Sequence, residues 1–241
     1  MPRALIRLGL ILGLALAAGS VVAGPSCGQR IARYLGKAVT ADADLIGKFA
    51  LKVADGSVAE DGFVYALDFI TKEVGEGAAT KQVSNILRTF PLSPTPFEWV
   101  SKLKGKPGLT KQIADLGNRE SQTIFKGAAS EMRYAADVLG PNNVASFQLR
   151  IPGGRPDVVD IGGGIHECKF RDWDTMSDFV VERDLAGIRQ QAENAQQYAA
   201  SLGKPYTLAF EVPLPAQHQT LFNAVFGDLL QRPGVTFVNG F

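Results

Sequence analysis

The spacing of apolar residues changes character along the chain. Before about residue 90, apolar side chains recur at steps of three and four residues in several segments, which predicts amphipathic helices. The segments are CGQRIARYLGKAV, ADLIGKFALKVA, GFVYALDFITKEV and TKQVSNILRTF. We therefore predict a small helical region over residues 24–90.

A stretch rich in proline, glycine and lysine follows this helical region. Pro91, Pro94 and Pro96 lie close together, and neither a helix interior nor a central strand accommodates such a cluster. A short helix and a second loop, KGKPGLTK, come next. We predict a linker over residues 91–117.

The pattern beyond residue 117 predicts alternating helices and strands. A long helix over Asn118–Leu139 is stopped by Gly140 and Pro141. Three strand candidates follow, and Gly162-Gly163-Gly164 forms the turn between the second and third. A helix from about Asp178 to Leu202 comes next. The remaining elements are a strand, a helix and a strand, so the predicted order is α, β, β, β, α, β, α, β. The predicted strands and last helix read VASFQLRI, PDVVDI, IHECKF, YTLAFEV, QHQTLFNAVFGDLLQ and VTFVN.

The first residues have the pattern of a secretory signal peptide. Arg3 and Arg7 precede an apolar run, and small residues near Ala23 offer a cleavage site. We predict a signal peptide over residues 1–23, which would export the protein to the periplasm or the medium without stable membrane association. The alternative is an uncleaved inner-membrane anchor, although the run is shorter than the ~20 residues of a spanning helix.

Charge and cysteine content exclude some classes of protein. The formal net charge of +1 becomes −1 once residues 1–23 and their two arginines are removed, which excludes a uniformly basic nucleic-acid-binding protein. Cys27 and Cys168 are the only cysteines, and they form neither a disulfide framework nor a zinc-binding motif. A metal ion would therefore be held by oxygen ligands.

The segment RPDVVDIGGGIHECKF, residues 155–170, carries the candidate chemistry. Side chains alternate along a strand, so Glu167 and Lys169 share one face while His166 lies on the other. The glycine turn can bring Asp157 to the same end of the sheet. Two carboxylates a few Å apart in a partly buried place do not both stay ionised cheaply unless a cation holds them.

These residue types point to one kind of reaction. Oxygen ligands with open coordination positions favour Mg²⁺ or Mn²⁺. A lysine beside such an ion can orient or activate water and offset charge that develops on a phosphate. The segment therefore predicts hydrolysis of phosphodiester bonds.

Pro156-Asp157 followed by Glu167-Cys168-Lys169 resembles the PD-(D/E)xK motif of the restriction-endonuclease-like nuclease superfamily. The elements of residues 118–241 are similar to its αβββαβ core. The resemblance implies an α+β or α/β fold with a mixed central sheet flanked by helices, preceded by the small helical region. It also implies a Mg²⁺-dependent endonuclease, with DNA favoured over RNA as the substrate.

The resemblance assigns the metal-binding and catalytic roles to the motif. Asp157 and Glu167 would hold the metal, with the backbone carbonyl of Cys168 as a further ligand. Lys169 would position the attacking water. Glu131, in FKGAASEMRYAADVL, matches the glutamate that the family carries on the helix before the sheet, and would bind a second metal or orient that water.

Three further residues are implied as supporting or substrate-binding. Gln191 matches a glutamine that some members carry on the helix after the motif, and it lies between Ile188 and Ala195 on an apolar stripe. Tyr198 and Arg155 would contact the phosphate backbone or buttress the site.

Each residue also has a structural interpretation that the sequence leaves open. Glu167 and Lys169 could form a surface ion pair of small energy, and Glu131 could be a solvated helix charge. Asp160 could replace Asp157 as the ligand, although the proline before Asp157 favours Asp157. Gln191 could cap a backbone edge.

The domain order resembles that of bacterial secreted or polymorphic toxin nucleases, which implies an immunity protein in the producer cell. Two alternatives remain open. One is a catalytically silent nuclease fold that serves as an exported protein-binding module. The other is a membrane-held DNA-processing enzyme such as a junction resolvase.

Overall fold

The structure is a computed structural model that describes residues 40–241 except 54–57, 75, 92, 119–120 and 153. The predicted signal peptide and the first predicted helix, CGQRIARYLGKAV, lie outside the described residues. The described part of the chain divides into two compact units, one up to residue 104 together with 113–125 and the other of residues 105–112 and 126–241. Of the described helices, none is both long enough and apolar enough to cross a membrane.

The first unit is helical. Its core contains the rings of Phe49, Phe63 and Phe97, whose centroids lie 4.9 to 5.2 Å apart. Gly62 packs against the backbone of Phe97, where any side chain would clash, so two of the helices approach closely. These helices are α1 (Thr40–Val53), α2 (Val58–Val74), α3 (Glu76–Thr89) and α4 (Thr95–Lys102).

Two helices lie within residues 91–117, where the sequence predicts a linker. They are α4 and α5 (Leu109–Leu116). Pro96 is in the first turn of α4, where a proline costs no hydrogen bond because the first amides of a helix have no partner inside it. The proline cluster therefore both separates α3 from α4 and begins α4.

The second unit is built on a five-stranded mixed sheet in the order β1-β2-β3-β4-β5. The first three strands are antiparallel neighbours, and β3, β4 and β5 run parallel. Parallel neighbours need a crossover connection, which α7 (Asp178–Ser201) and α8 (Gln219–Leu230) provide. A mixed sheet flanked by helices is thus confirmed. The strands are β1 (Val144–Phe147), β2 (Val158–Asp160), β3 (Ile165–Lys169), β4 (Tyr206–Phe210) and β5 (Val235–Asn239).

The helix before the sheet differs in detail from its prediction. Helix α6 spans Gln122–Arg133 and continues as a π-helical segment, Tyr134–Leu139. The wider turn ends at Gly140, whose φ of +86° suits glycine. The C-terminal boundary is therefore where the sequence predicts it, and the start is four residues later than Asn118.

The glycine turn sets the register of β2 and β3. The carboxylate of Asp160 accepts a hydrogen bond from the amide of Gly164 at 2.8 Å, and Gly163 has a φ of +84°. A side chain on Gly164 would clash with Asp160. With Val158 opposite His166, the next pair along the two chains brings Asp157 alongside Glu167.

Helix α7 is held rigidly against the parallel strands. It buries Val181, Leu185 and Ile188 in a cluster that also contains Phe210 of β4 and Phe222 of α8. This apolar seam fixes the rotation of α7, and therefore which of its polar residues face the end of the sheet where Lys169 lies.

Candidate functional site

The structure brings Asp157, Glu167 and Lys169 together at one end of the sheet. The ammonium of Lys169 donates hydrogen bonds to Oε2 of Glu167 at 2.7 Å and to Oδ2 of Asp157 at 3.3 Å. All three side chains are nearly buried, with exposed fractions of 7% to 12%. The lysine therefore bridges two carboxylates in a sheltered place, which is unlike a surface ion pair.

Asp157 is fixed by the backbone as well as by the lysine. The amide of Cys168 donates a hydrogen bond of 2.7 Å to Oδ2 of Asp157. The thiol of Cys168 is buried, and burial raises its pKa, so the side chain is not poised as a nucleophile. Cys168 contributes to this site through its main chain.

A cavity of about 120 Å³ opens onto these residues. Of the supporting residues named from the sequence, Gln191 of α7 and Arg155 line this cavity. Tyr198 is absent from the lining, and it lies half-buried against the apolar core of the unit. The lining residues are Ile151, Gly154, Arg155, Asp157, Glu167, Lys169, Gln191 and Ala195.

Glu131 is buried beside this group, with an exposed fraction of 7%. Its Oε2 accepts hydrogen bonds from Nε2 of Gln112 at 2.7 Å and from Nε2 of Gln148 at 3.2 Å. Burial raises its pKa well above the usual value, and the charge of Asp157 raises it further. Glu131 is therefore not a solvated helix charge.

Gln112 and Gln148 were missed by sequence reasoning. Gln148 has a φ of +48°, and among the described residues it alone is a non-glycine residue with positive φ. Its backbone N–H donates a hydrogen bond to the carbonyl of Asp157 at 3.0 Å. No local pattern predicts this conformation. Gln112 did carry a signal, because it lies three residues after Leu109 and four before Leu116, on the apolar stripe of α5.

Burial and mutual repulsion disfavour the charged forms of the glutamates in this cluster. Burial raises the pKa of Glu167 to about 7, with a further contribution from Asp157 that Lys169 partly opposes. Burial alone would lower the pKa of Lys169, but the charges of Asp157 and Glu167 raise it instead. Three acidic groups thus share one permanent cation, and a further cation would relieve their repulsion.

The donor set fits one class of metal. Among the residues that the structure describes, no group of three or more His, Cys, Asp or Glu side chains is arranged to hold a metal. Asp157 and Glu167 offer two carboxylates, and Glu131 is not a third around the same point. Mg²⁺ is typically bound by one or two carboxylates, with waters and substrate phosphates filling the other positions. The pair therefore fits Mg²⁺ or Mn²⁺ and does not fit a closed structural centre.

A separate network occupies the other face of β3. The hydroxyl of Tyr134 lies 3.0 Å from Nδ1 of His166, and Nε2 of His166 lies 3.1 Å from Oδ2 of Asp160. Burial lowers the pKa of His166 despite the nearby carboxylate. A neutral ring that accepts from Tyr134 and donates to Asp160 satisfies all three groups. Asp160 is thus committed to the turn, and Asp157 is the carboxylate that faces the cavity.

Comparison with known proteins gives no match to any family model, to any curated protein or to any solved structure. Function is therefore inferred from the geometry of these residues.

Proposed function

We propose that this protein is a Mg²⁺-dependent endonuclease of the PD-(D/E)xK type that hydrolyses phosphodiester bonds, most favourably in DNA. The observation that carries the proposal is the ammonium of Lys169 between Asp157 and Glu167, on the wall of a cavity that Gln191 completes. The restriction-endonuclease-like fold is part of the proposal. The mixed sheet supports it, because α6 precedes three antiparallel strands and α7 leads to a parallel fourth.

The chain's own residues would divide the work. Asp157, Glu167 and the carbonyl of Cys168 would hold Mg²⁺ or Mn²⁺, which supplies Lewis acidity and positive charge when bound. Lys169 would donate a hydrogen bond to the attacking water and offset negative charge on the phosphate. Water oxygen bonds to phosphorus as the bond to the 3′ oxygen breaks, leaving a 5′-phosphate and a 3′-hydroxyl.

The remaining predicted residues would orient rather than react. Arg155 and Gln191 line the cavity and can donate hydrogen bonds to phosphate oxygens. Glu131 is buried in the same cluster as Asp157, and hydrogen bonds from Gln112 and Gln148 fix its carboxyl group. From there it would orient the water or join a second ion. Tyr198 would support α7 by packing and would not touch the substrate.

The biological setting extends the proposal. An exported nuclease behind a signal peptide is suited to attack the nucleic acid of other cells, and its producer would need an immunity protein. If the leader stays uncleaved, the same enzyme would act at the inner membrane. Expression in the cytoplasm of a test strain should stop growth, and the Lys169→Ala protein should not.

Cleavage of defined substrates tests the proposal. The purified full chain would be incubated with labelled duplex DNA, single-stranded DNA and RNA in Mg²⁺, Mn²⁺ or EDTA, and the product ends would be identified. We expect metal-dependent cleavage with 5′-phosphate ends. Absence of cleavage on every substrate in both metals would refute the enzymatic function.

One observation favours a second candidate, the catalytically silent protein-binding module. Lys169 already neutralises part of the charge on Asp157 and Glu167 without a metal. In a silent fold, the ion pairs of Lys169 with Asp157 and Glu167 would only stabilise the structure. Mg²⁺ would then leave the melting temperature unchanged, whereas binding to a native metal site raises it by mass action.

A further inference from the structure

A second cavity of about 210 Å³ lies beside the first in the same unit. Arg171 and Arg183 contribute its charged walls, and Gly187 of α7 lies between them and Gln191. Gln191 lines both cavities. The residues around the second cavity are Arg171, Met176, Val180, Arg183, Asp184, Gly187, Ile188 and Gln191.

One stripe of α7 forms a wall common to both cavities. Val180, Asp184, Gly187, Gln191 and Ala195 follow one another at steps of three or four residues, so they lie on one side of the helix. The first four line the second cavity, and the last two line the first. Gly187 to Ala195 spans about 12 Å along the helix axis. Because Gln191 lines both cavities, one nucleic-acid strand can reach both.

The charges of the second cavity are held in place. The guanidinium of Arg171 donates to both carboxylate oxygens of Asp184 and to the carbonyl of Phe170. Arginine has five N–H donors, so three are used and two remain. The pairing fixes the orientation of the guanidinium without using all its donors, which lowers the entropy cost of binding an anion.

Arg183 supplies the uncommitted charge. It is exposed, and it has no ion-pair partner among the described residues. The second cavity is therefore lined by two guanidinium groups and one carboxylate, Asp184, which is paired with Arg171. The lining thus carries a net charge of +1, which favours an anionic ligand.

Because Gly187 has no side chain, the helix backbone itself forms part of the floor of the second cavity. Gly187 lies inside a helix of 24 residues, where glycine is less stable than alanine. A β-carbon there would meet no atom within 4 Å, so close packing does not require glycine. Its helical φ does not require glycine either. The absent side chain instead leaves room for a ligand to approach the helix.

An exposed aromatic side chain lies in the first turn of α7. Phe179 is 71% exposed and stands four residues before Arg183 on the same helix. An exposed aromatic ring is a platform on which a nucleic-acid base can stack. This arrangement favours a nucleotide strand over a free anion.

We propose that the second cavity is a backbone-phosphate subsite for the nucleic-acid strand that is cut at Asp157, Glu167 and Lys169, an inference that rests on the proposed function. Arg183 and Arg171 bind a phosphate of that strand away from the scissile bond. Gly187 admits the sugar-phosphate backbone, and Gln191 lies where the strand passes between the two cavities.

Binding without cleavage isolates this subsite. The full chain in EDTA would be titrated with a fluorescein-labelled 24-nucleotide single-stranded DNA and with its duplex, over a series of salt concentrations. Lys204→Gln is the matched control for Arg183→Gln, because Lys204 is exposed and lies beside Gly163, at the opposite end of β3 from Lys169.

Arg183→Gln should weaken binding by about three- to tenfold and reduce the slope of log K against log salt by about 0.7 for single strands. Lys204→Gln should change neither. Gly187→Ala should raise the melting temperature by about 2 to 4 °C while also weakening binding, a combination that a purely structural glycine would not give. An unchanged salt slope in Arg183→Gln overturns the subsite.

Cleavage in Mg²⁺ separates this failure from failure of the nuclease. Cleavage by the parent chain with an unchanged Arg183→Gln slope would leave the nuclease standing and remove the subsite. No cleavage with an Arg183-dependent slope would support a nucleic-acid phosphate site and refute the enzyme. No binding to either DNA would overturn the subsite.

Discussion

The Nζ atom of Lys169 lies 2.7 Å from Oε2 of Glu167, two positions away on the same face of β3. The same atom lies 3.3 Å from Oδ2 of Asp157, so one ammonium joins β3 to the residue that precedes β2. Since these groups are almost buried, each depends on the others for solvation. Charge changes at any one of them should alter both stability and activity.

Replacing Lys169 with methionine should show this dependence. The variant leaves two adjacent buried carboxylates without their cation, which costs on the order of 3 kcal/mol in the free energy of unfolding. Cleavage should fall by roughly 100-fold or more. Mg²⁺ should raise the melting temperature of Lys169→Met more than that of the parent, because the ion replaces the lost charge. Lys204→Met is the control, and a melting temperature that Mg²⁺ leaves unchanged in both the parent and Lys169→Met would count against the metal site.

The raised pKa of Glu167 predicts how stability depends on pH in the absence of metal. The folded protein holds a proton on Glu167 up to about pH 7, whereas an unfolded glutamate loses it near 4.5. Between these values the folded state binds more protons, so the free energy of unfolding falls as pH rises. Glu167→Gln removes this loss.

Urea denaturation in EDTA at pH 4.5 and pH 8 measures the effect. The stability of Glu167→Gln relative to the parent should be greater at pH 8 than at pH 4.5. A difference between the two proteins that does not change with pH would mean that Glu167 titrates normally, and that the site carries no excess negative charge.

Gln148 combines an unusual backbone conformation with a contact to Glu131, and two substitutions separate them. Gln148→Gly keeps the φ of +48° at no steric cost but removes the side-chain amide that donates a hydrogen bond to Glu131. We expect near-parent stability with reduced cleavage. Gln148→Ala loses the amide and keeps the strain, so it should be less stable than the glycine variant by about 1 kcal/mol. Equal cleavage by parent and Gln148→Gly would show that the amide does not position Glu131.

The glycine turn offers a matched pair of alanine substitutions. A β-carbon on Gly164 would clash with Oδ2 of Asp160, whereas one on Gly162 would lie 3.2 Å from Oδ1 and needs only a small adjustment. Gly164→Ala should therefore lower the melting temperature and, by shifting β2, reduce cleavage. Gly162→Ala should stay close to the parent in both. Comparable melting temperatures for the two variants would contradict the role of this turn in setting the register.

Part of this architecture could be predicted from the sequence because it depends on local pattern. Strand alternation places Glu167 with Lys169 and away from His166, and the glycine turn brings Asp157 to them. The proline cluster was harder, since Pro96 at the start of a helix and a proline in a linker look alike in sequence. The end of the helical segment before Gly140 could be predicted because glycine readily adopts the positive φ that ends a helix.

The partners of Glu131 could not be predicted in this way. Gln148 reaches the carboxylate only because its backbone leaves the strand at positive φ. Gln112 reaches it from a helix 19 residues earlier in the chain. Such contacts depend on the packing of distant segments, and no local period encodes them. Tyr198 shows the converse, because the resemblance implied a supporting or phosphate-contacting role, whereas in the structure it packs against the apolar core of the unit.

Cleavage of supercoiled plasmid by the full chain and by its Asp157→Asn variant tests whether Asp157 holds a catalytic metal. Asparagine keeps the size of the side chain and removes the charge that would hold the metal. We expect nicking by the parent in Mg²⁺, none in EDTA, and a loss of roughly 100-fold or more in Asp157→Asn. Equal nicking by both proteins, or none by a folded parent in Mg²⁺ and Mn²⁺, would contradict this role of Asp157.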